Sequence, residues 1–194
     1  MATVILARHG ETDWNRENRF QGHADPPLNA TGRTQSAELA ADLAGEPIDR
    51  VYTSPLRRAA ETAAIVAERL GLEVESLEPL REIDVGGWSG LTRDEVAVRF
   101  PDEYARWLER SPHGFENGET YEQLAARVLP AIEELAERHP SETLLVVTHG
   151  GPSRVMQAHA AGIDYAEARR RETVLANCAV CRFAVENGDI RRIG

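Results

Sequence analysis

Two histidines in this sequence follow apolar segments and precede glycine, a setting suited to chemistry on an anion. Arg8 and His9 follow the apolar run 3–7, and His149 follows the apolar run 143–148. In an open α/β sheet, ligands bind beyond the carboxyl ends of the strands. Each histidine alone is typical of an ordinary loop or strand end, but two in the same setting indicate a common site.

Three further residues are candidates for the same site. Arg58 lies in the first turn of a predicted helix, where a cation opposes the helix dipole unless an anion is bound. Gly150 opens another helix, whose amide groups point towards whatever lies at that strand end. Glu82 follows a third predicted strand and precedes a glycine-rich loop at 86–90. Taken singly, Arg58 is typical of an exposed first turn and Glu82 of a surface carboxylate.

Together these residue types have the chemistry of phosphoryl transfer. Guanidinium groups neutralise phosphoryl oxygens, a neutral imidazole attacks phosphorus, and a carboxyl group handles the proton of the leaving group. The sequence contains no Walker glycine loop, which excludes a P-loop nucleotide hydrolase. All 22 basic residues are arginine, so any anion site must use guanidinium groups.

The elements that must position these residues alternate between strand and helix, and the chain ends in a predicted hairpin. This alternation predicts parallel pairing with helices on both faces of the sheet, in a single α/β domain over residues 1–194. Segment 92–120 is typical of two short helices with an irregular stretch and is the expected lid. The predicted strands are 3–7, 49–53, 73–78, 143–148, 177–185 and 190–193, and the predicted helices are 30–44, 54–70 with Ser54 as N-cap, 121–138 and 150–162.

Composition and charge exclude several classes of protein. The 194 residues have a net charge of −10, with 42% hydrophobic and 28% charged residues, which suits a globular domain rather than a disordered chain. An acidic chain is not expected to bind nucleic acid. No apolar run approaches the roughly 18 residues of a membrane helix. Because the N-terminus enters an apolar strand at once, no signal peptide is expected, and the predicted location is cytoplasmic.

Three remaining patterns are interpreted as structural. Cys178 and Cys181 have zinc-type spacing, but a second pair is missing, so buried free thiols are expected. The arginine cluster 169–171 is expected to be a solvated helix face. The terminal hairpin offers an edge for pairing, and the expected state is a monomer or a homodimer.

The sequence resembles the histidine phosphatase superfamily, which has the phosphoglycerate mutase-like fold, over essentially its whole length. The matching segments occur in the order typical of that family. They are Arg8-His9-Gly10-Glu11-Thr12 with Asn15, Gln21-Gly22, Asp25-x-Pro27-Leu28, Ser54-x-Leu56-x-Arg58-Ala59 with Thr62, Glu82 with Gly86, Trp88 and Gly90, and His149-Gly150-Gly151. The resemblance implies a three-layer α/β/α sandwich around a mostly parallel central sheet.

The resemblance also implies a role for each matched residue. His9 is expected to be phosphorylated transiently, and Glu82 to give a proton to the leaving oxygen and later accept one from water. No metal or other cofactor is implied, because guanidinium and imidazole groups supply the positive charge. The residues implied to hold the phosphoryl group and the substrate are Arg8, Arg58, His149, Asn15, Gln21, Gly22 and Gly150.

Two departures from the family's mutases favour a phosphatase. A mutase needs extra cations for phosphoglycerate and must exclude water, and the resembling mutases have a basic insertion between the acid and the second histidine. Here Glu82 and His149 are only 67 positions apart, with no lysine between them. The mutases also have a tyrosine where this chain has Val85. The expected activity is hydrolysis of a small phosphorylated metabolite, with a cofactor-dependent phosphoglycerate mutase and a catalytically silent binding module as alternatives.

Substrate choice is expected to depend on segment 107–119. Trp107, His113 and Phe115 are candidates to contact substrate, and a role in the core of the lid explains Trp107 and Phe115 equally well. Glu119 belongs to a Gly-Glu-Thr element that resembles one in this branch and is a further candidate near the pocket. The resembling branch includes phosphatases for a cobalamin precursor, phosphoserine, sugar phosphates and glucosyl-phosphoglycerate, among which the sequence does not choose.

Overall fold

The chain folds around one six-stranded sheet in a computed structural model that describes residues 1–109, 115, 117–171 and 174–193. The strands are β1 (Ala2–Arg8), β2 (Arg50–Thr53), β3 (Val74–Ser76), β4 (Thr143–Thr148), β5 (Val180–Glu186) and β6 (Asp189–Ile193). The helices are α1 (Asp13–Arg16), α2 (Ala30–Asp42), α3 (Arg57–Leu70), α4 (Arg93–Arg99), α5 (Pro101–Leu108), α6 (Tyr121–Arg138), α7 (Gly150–Ala161) and α8 (Tyr165–Arg170).

The sheet is mostly parallel, as the sequence predicts. The strand order is β3-β2-β4-β1-β5-β6, with the first four strands parallel and β5 and β6 antiparallel to their neighbours. In the central pair β1–β4, Arg8 is in register with Thr148. The two histidines that follow, His9 and His149, therefore leave the sheet side by side.

Alternate residues of β1 face two different helical layers. Val4 and Leu6 belong to the core that includes α6 and α7, whereas Ile5 and Ala7 belong to the core that includes α2 and α3. All four side chains are fully buried. Since successive strand residues point to opposite faces, this division confirms the expected three-layer α/β/α sandwich.

Side-chain caps place the starts of two helices where the sequence predicts them, at Asn29 for α2 and at Thr120 for α6. The prediction that Ser54 caps α3 is wrong. That helix begins at Arg57 with Leu56 as its N-cap, and Ser54 Oγ accepts the Leu56 N–H at 3.2 Å within the preceding turn. Ser54 and Pro55 lie between the end of β2 at Thr53 and the start of α3, and in this turn the Ser54 hydroxyl faces the site.

The described part of segment 92–120 contains two short helices, α4 and α5, as expected, and aromatic side chains attach it to the rest of the fold. The buried Trp88 ring lies 5.0 Å from Phe20, 5.9 Å from Trp107 and 5.1 Å from Phe115, each edge to face. Such pairs add to the burial of each ring. These four rings, called the aromatic cluster below, hold the segment against the rest of the fold.

The C-terminal part differs from expectation in two places. α8 was not predicted, and it buries Arg169, which is only 8% exposed, against the Trp107 ring at 5.3 Å from its centroid. The expected solvated face is therefore wrong for Arg169, because α8 packs it on segment 92–120. The hairpin strand starts at Val180 rather than at 177, since Cys178 has a left-handed φ of 57°.

Both cysteines are free, Cys181 being buried and Cys178 half-buried. Within the described ranges, no helix has the length and apolar character needed to cross a membrane.

Candidate active site

A cavity of about 750 Å³ lies where β1 and β4 end and α7 begins. Its volume falls in the usual range of small-molecule sites. His149 lies beneath the cavity wall against His9, Glu119 is not among the lining residues, and His113 lies outside the described residues. The predicted site residues that line the cavity are Arg8, His9, Asn15, Gln21, Gly22, Arg58, Glu82, Trp107 and Gly150.

His9 has a defined tautomer. Its Nδ1 lies 2.7 Å from the carbonyl oxygen of Gly10, and because a carbonyl only accepts, Nδ1 holds the proton and Nε2 has the free electron pair. Burial, followed by the charges of Arg58 and Arg8, holds the pKa of His9 well below 6.5. The ring is therefore neutral at neutral pH, the state that attack on phosphorus requires.

Arg58 is fully buried and anchored to backbone carbonyls. Its Nη1 donates to Ala24 O at 2.7 Å and its Nη2 to Gly22 O at 2.9 Å. Its Nε donates to His9 Nε2 at 3.3 Å. Burial lowers the pKa of Arg58 to about 10, so the group stays charged at neutral pH. A fixed cation thus faces the electron pair that would attack.

His149 is a second neutral imidazole, with its ring centroid 5.1 Å from that of His9. Its Nε2 lies 2.7 Å from Ser54 Oγ. Ser54 Oγ also accepts the Leu56 N–H; when its single proton goes to Nε2, His149 holds its own proton on Nδ1. Burial, then the charges of Arg58 and His9, lowers the pKa of His149 well below 6.5.

Two buried nitrogen atoms of the site have no hydrogen-bond partner in the described part of the chain. His149 Nδ1 and Arg8 Nε are both buried and without a hydrogen-bond partner among the described residues. Arg8 itself is fixed by Nη1, which donates to Leu175 O at 2.7 Å. Because buried donors normally find an acceptor, these two positions next to His9 are suited to the oxygens of a bound oxyanion.

The Glu82 carboxylate is bound at the N-terminus of α7. Oε1 accepts the Gly151 N–H at 2.8 Å and Oε2 accepts the Gly150 N–H at 3.1 Å. A Cβ on Gly151 would lie 2.4 Å from Oε1 and 3.0 Å from Leu124. Glycine is therefore required here for the carboxylate to reach the free amides of the helix.

Arg127 of α6 holds the main chain around Glu82 from behind. Its guanidinium donates to the carbonyl oxygens of Pro79, Arg81 and Glu82 at 2.6, 2.8 and 2.7 Å. It also forms a bidentate ion pair with Glu119 at 2.8 and 2.7 Å. Burial raises the pKa of Glu119, but the hydrogen bonds from Arg127 and from the Asp84 N–H, together with the charge of Arg127, lower it on balance. This Arg127–Glu119 pair, the Arg127 clamp below, explains Glu119 without any contact with substrate.

Asn15, Gln21 and Gly22 form the rim next to His9. Thr12 Oγ1 lies 3.1 Å from the side-chain oxygens of both Asn15 and Gln21 and shares its one proton between them. This orientation leaves the two amide NH₂ groups as donors for a ligand. Gly22 has a φ of 51°, and a Cβ there would lie 2.6 Å from Val85. Its conformation directs the carbonyl to Arg58.

The cavity is cationic although the chain is acidic overall. Arg8, Arg19, Arg58, Arg93, Arg154 and Arg169 line it, and Glu82 is the one acid among its described lining residues. The sequence-based argument counted extra cations only between Glu82 and His149, an interval that does not contain Arg154 or Arg169. Within the described ranges, no group of three or more His, Cys, Asp or Glu side chains is placed to hold a metal ion.

The convergence of two imidazoles, Arg8, Arg58 and Glu82 on one cavity agrees with comparison to known proteins. A family model described as histidine phosphatase superfamily (branch 1) matches residues 4–192. The chain belongs to this superfamily. Its six-stranded sheet and helical layers are those of other histidine phosphatases, as the solved structures below show.

Three similar proteins illustrate the relationship. Phosphoserine phosphatase 1 of Hydrogenobacter thermophilus is 40% identical over 166 residues, which cover 84% of this chain and 78% of that protein. The structure of Bacillus stearothermophilus YhfR has a TM-score of 0.92 at 31% identity, with 99% and 95% of the two chains covered. Mycobacterial glucosyl-3-phosphoglycerate phosphatase, solved with VO₃, has a TM-score of 0.88 at 29% identity, with 98% and 96% covered.

Sequence reasoning missed several residues that complete this histidine phosphatase site. Ser54 Oγ forms a hydrogen bond with His149 Nε2, and Arg127 supports the Glu82 segment. Arg154 follows Gly150 by four residues on α7, a spacing that places both on one helix face. That spacing was the available signal for Arg154, whereas the partners of Ser54 and Arg127 depend on packing between distant segments.

Proposed function

We propose that this histidine phosphatase hydrolyses phosphate monoesters of small metabolites through a phosphohistidine on His9. The observation that most supports this is the uncharged His9 ring, whose Nε2 electron pair faces the Arg58 guanidinium at 3.3 Å. The similar proteins named above are phosphatases for phosphoserine and glucosyl-3-phosphoglycerate. Both names describe hydrolysis of a small phosphate ester.

In the first step, His9 Nε2 forms a bond to phosphorus while the bond from phosphorus to the ester oxygen breaks. Arg8, Arg58 and the Nδ1–H of His149 stabilise the charge on the phosphoryl oxygens. Glu82, in its acid form, gives its proton to the departing oxygen, so the product leaves as a neutral alcohol. The Gly10 carbonyl accepts from the Nδ1–H of His9 throughout.

In the second step, a water molecule attacks the phosphohistidine. Glu82, now a carboxylate, accepts one proton from that water as its oxygen bonds to phosphorus. The bond between His9 Nε2 and phosphorus breaks, inorganic phosphate leaves, and His9 returns to its neutral form. The sequence of steps restores both the acid form of Glu82 and the free electron pair of His9.

Segment 92–120 is proposed as the lid that selects the substrate. Trp107 and Phe115 belong to the aromatic cluster and also line the cavity, so the two roles expected from the sequence are compatible. Val85, where the resembling mutases have tyrosine, also lines the cavity, which supports hydrolysis over a mutase reaction. The cytoplasmic location and the monomeric or dimeric state stay predictions.

The test is release of phosphate from p-nitrophenyl phosphate in the presence of EDTA. We expect His9→Ala to lower kcat by at least ~1,000-fold with an unchanged circular dichroism spectrum, whereas His159→Ala, an exposed position on α7, should keep wild-type activity. Vanadate should inhibit, because it resembles the transition state of phosphoryl transfer. Brief reaction with a labelled ester should yield an acid-labile phosphoprotein that His9→Ala does not form.

Three results would contradict the proposal. An active His9→Ala variant would remove the phosphohistidine step. A wild-type protein that releases phosphate from no ester would indicate a binding module. Isomerisation of 3-phosphoglycerate faster than hydrolysis of any ester would indicate a mutase.

A further inference from the structure

Loop 21–24, between α1 and α2, contacts both the Arg58 guanidinium and the main chain of Glu82. Two carbonyl oxygens of this loop accept from Arg58 Nη1 and Nη2 at 2.7 and 2.9 Å. His23 lies between those two carbonyl groups in sequence, and its Nε2 lies 2.8 Å from the carbonyl oxygen of Glu82. The loop therefore joins the cation that faces the nucleophile to the segment that contains the proposed proton donor.

The contact with Glu82 defines one proton of the His23 ring. Because a carbonyl oxygen only accepts, His23 Nε2 holds a proton and donates it to Glu82 O. The other ring nitrogen, Nδ1, lies 3.8 Å from Asp84 Oδ2, which is too far for a hydrogen bond. His23 is not among the residues that line the cavity. An effect of His23 on catalysis must therefore pass through the residues that it contacts.

The Glu82 carbonyl oxygen accepts two hydrogen bonds from distant parts of the chain. Arg127 Nη2 donates at 2.7 Å and His23 Nε2 at 2.8 Å. A carbonyl oxygen has two lone pairs, so these two donors use its full capacity. Arg127 links this oxygen to α6, whereas His23 links it to the loop that holds Arg58. The same atom is thus fixed against two different segments.

We propose that His23 is a positioning residue, which sets the place of the Glu82 carboxyl group relative to a phosphoryl group bound beside Arg58. This inference rests on the proposed function, since it takes Glu82 to be the proton donor. Proton transfer requires the donor within roughly 2.6–3.2 Å of the departing oxygen. The amides of Gly150 and Gly151 hold the carboxylate end of Glu82, and His23 holds its main-chain end.

The experiment separates the His23 hydrogen bond from other effects of losing this ring. His23→Leu removes the donor, whereas the side-chain amide of His23→Gln provides an N–H at a similar distance from the main chain. The matched control is His139→Leu, which removes a histidine hydrogen bond of 2.7 Å to Tyr52 away from the cavity lining. Asp84→Asn removes the charge that faces His23 Nδ1 and keeps the Glu82 contact. The measured quantity is kcat for aryl and alkyl phosphates whose leaving alcohols differ in pKa.

We expect His23→Leu to lower kcat for alkyl phosphates ~3- to 30-fold, and for p-nitrophenyl phosphate by less than ~3-fold, because p-nitrophenolate leaves without a proton. The dependence of log kcat on the pKa of the leaving group should therefore become steeper. His23→Gln should restore most of the wild-type dependence, and His139→Leu and Asp84→Asn should retain it. In a Glu82→Gln background, His23→Leu should cause little further loss, since both changes act on one proton transfer.

Melting temperatures identify any misfolded variant. If His23→Leu does not fold, His23→Asn replaces it, because its amide is one carbon shorter than that of glutamine, and the same steeper dependence is expected.

Several results would overturn the role of His23 and leave the proposed function standing. Wild-type kinetics in His23→Leu, or equal losses for good and poor leaving groups, would show that His23 does not act on proton donation. A His23→Gln variant as impaired as His23→Leu would show that the hydrogen bond is not the cause. A steeper dependence in His139→Leu would attribute the effect to lost stability. If the wild-type protein hydrolyses no ester at all, the proposed function itself is refuted.

Discussion

The Arg127 clamp predicts that a residue outside the cavity controls proton donation by Glu82. Arg127→Met keeps much of the side-chain length but removes hydrogen bonds to three carbonyls of segment 79–82 and both bonds to Glu119. Each charge-assisted hydrogen bond contributes roughly 1.5–3 kcal/mol. The side chains of Arg127 and Glu119 are each 21% exposed, so water can replace part of the lost hydrogen bonding. We therefore expect the free energy of unfolding to fall by about 2–4 kcal/mol.

The catalytic effect follows from the position of Glu82. A displacement of about 1 Å in a catalytic group costs on the order of 100-fold in rate, so kcat for alkyl phosphates should fall ~10- to 100-fold in Arg127→Met. An alkoxide needs a proton to leave, whereas p-nitrophenolate is a good leaving group without one. The loss on p-nitrophenyl phosphate should therefore be several-fold smaller. Steady-state kinetics over a series of leaving groups measures this difference.

Two controls separate a positioning role from a general loss of structure. Arg138 lies on the same helix, and Arg138→Met removes an exposed ion pair with Glu75 at 3.5 Å. This control should change neither kcat nor the dependence of kcat on the leaving group. Combining Arg127→Met with Glu82→Gln should give less than the product of the single losses, since both act on one proton transfer. Equal losses for good and poor leaving groups, or fully multiplicative losses, would refute the reasoning.

Two further predictions concern the helix start and the histidines. Gly151→Ala should lower kcat for alkyl phosphates at least ~10-fold, because its Cβ would lie 2.4 Å from Glu82 Oε1. The control Gly45→Ala, whose Cβ would have no atom within 4 Å, should leave kcat unchanged. Wild-type kinetics in Gly151→Ala would contradict the assigned contact. The pKa values of His9 and His149 are lowered in the folded protein, so the unfolded chain binds more protons below pH 6.5. The free energy of unfolding should therefore fall as pH drops below about 6.5, by up to ~1.4 kcal/mol per pH unit and per histidine. Urea unfolding at several pH values measures this dependence. The same pH dependence in a His9→Ala, His149→Ala double variant would contradict the prediction.

The positions of the catalytic candidates were largely predictable because they depend on strand ends. Apolar runs define β1 and β4, and a chain that alternates strand and helix places such ends at one edge of the sheet. The register of Arg8 with Thr148 then brings His9 and His149 together. The capping prediction at Ser54 was wrong for a related reason. Its hydroxyl has a tertiary partner in His149, which no local pattern indicates.

The supporting residues were not predictable because their partners come from distant segments. Arg127 lies on the polar side of an amphipathic helix, where the sequence pattern predicts a solvent-exposed side chain. It nevertheless donates hydrogen bonds to three carbonyl oxygens of a neighbouring loop. Glu119 was expected near the pocket because its Gly-Glu-Thr element resembles one in this branch of the family, whereas its carboxylate pairs with Arg127. Arg169 was expected in solvent, and α8 packs it on Trp107. Hydrophobic periodicity determines which face of a helix is buried, but not which polar groups a neighbouring loop presents to its edge.

The arginines of this site influence both the neutral state of His9 and the negative charge of the ligand that the site would bind. Burial disfavours a proton on His9 Nε2, and the arginines that would neutralise a phosphoryl group disfavour it further, because a second positive charge so close to Arg58 is unfavourable. Crowded guanidiniums repel each other, and backbone carbonyls of Gly22, Ala24 and Leu175 oppose this by fixing Arg58 and Arg8. The imidazoles of the site are therefore neutral, and Arg8 Nε has no hydrogen-bond partner among the described residues. An oxyanion that draws the Arg58 Nε–H away from His9 Nε2 frees that electron pair to attack phosphorus.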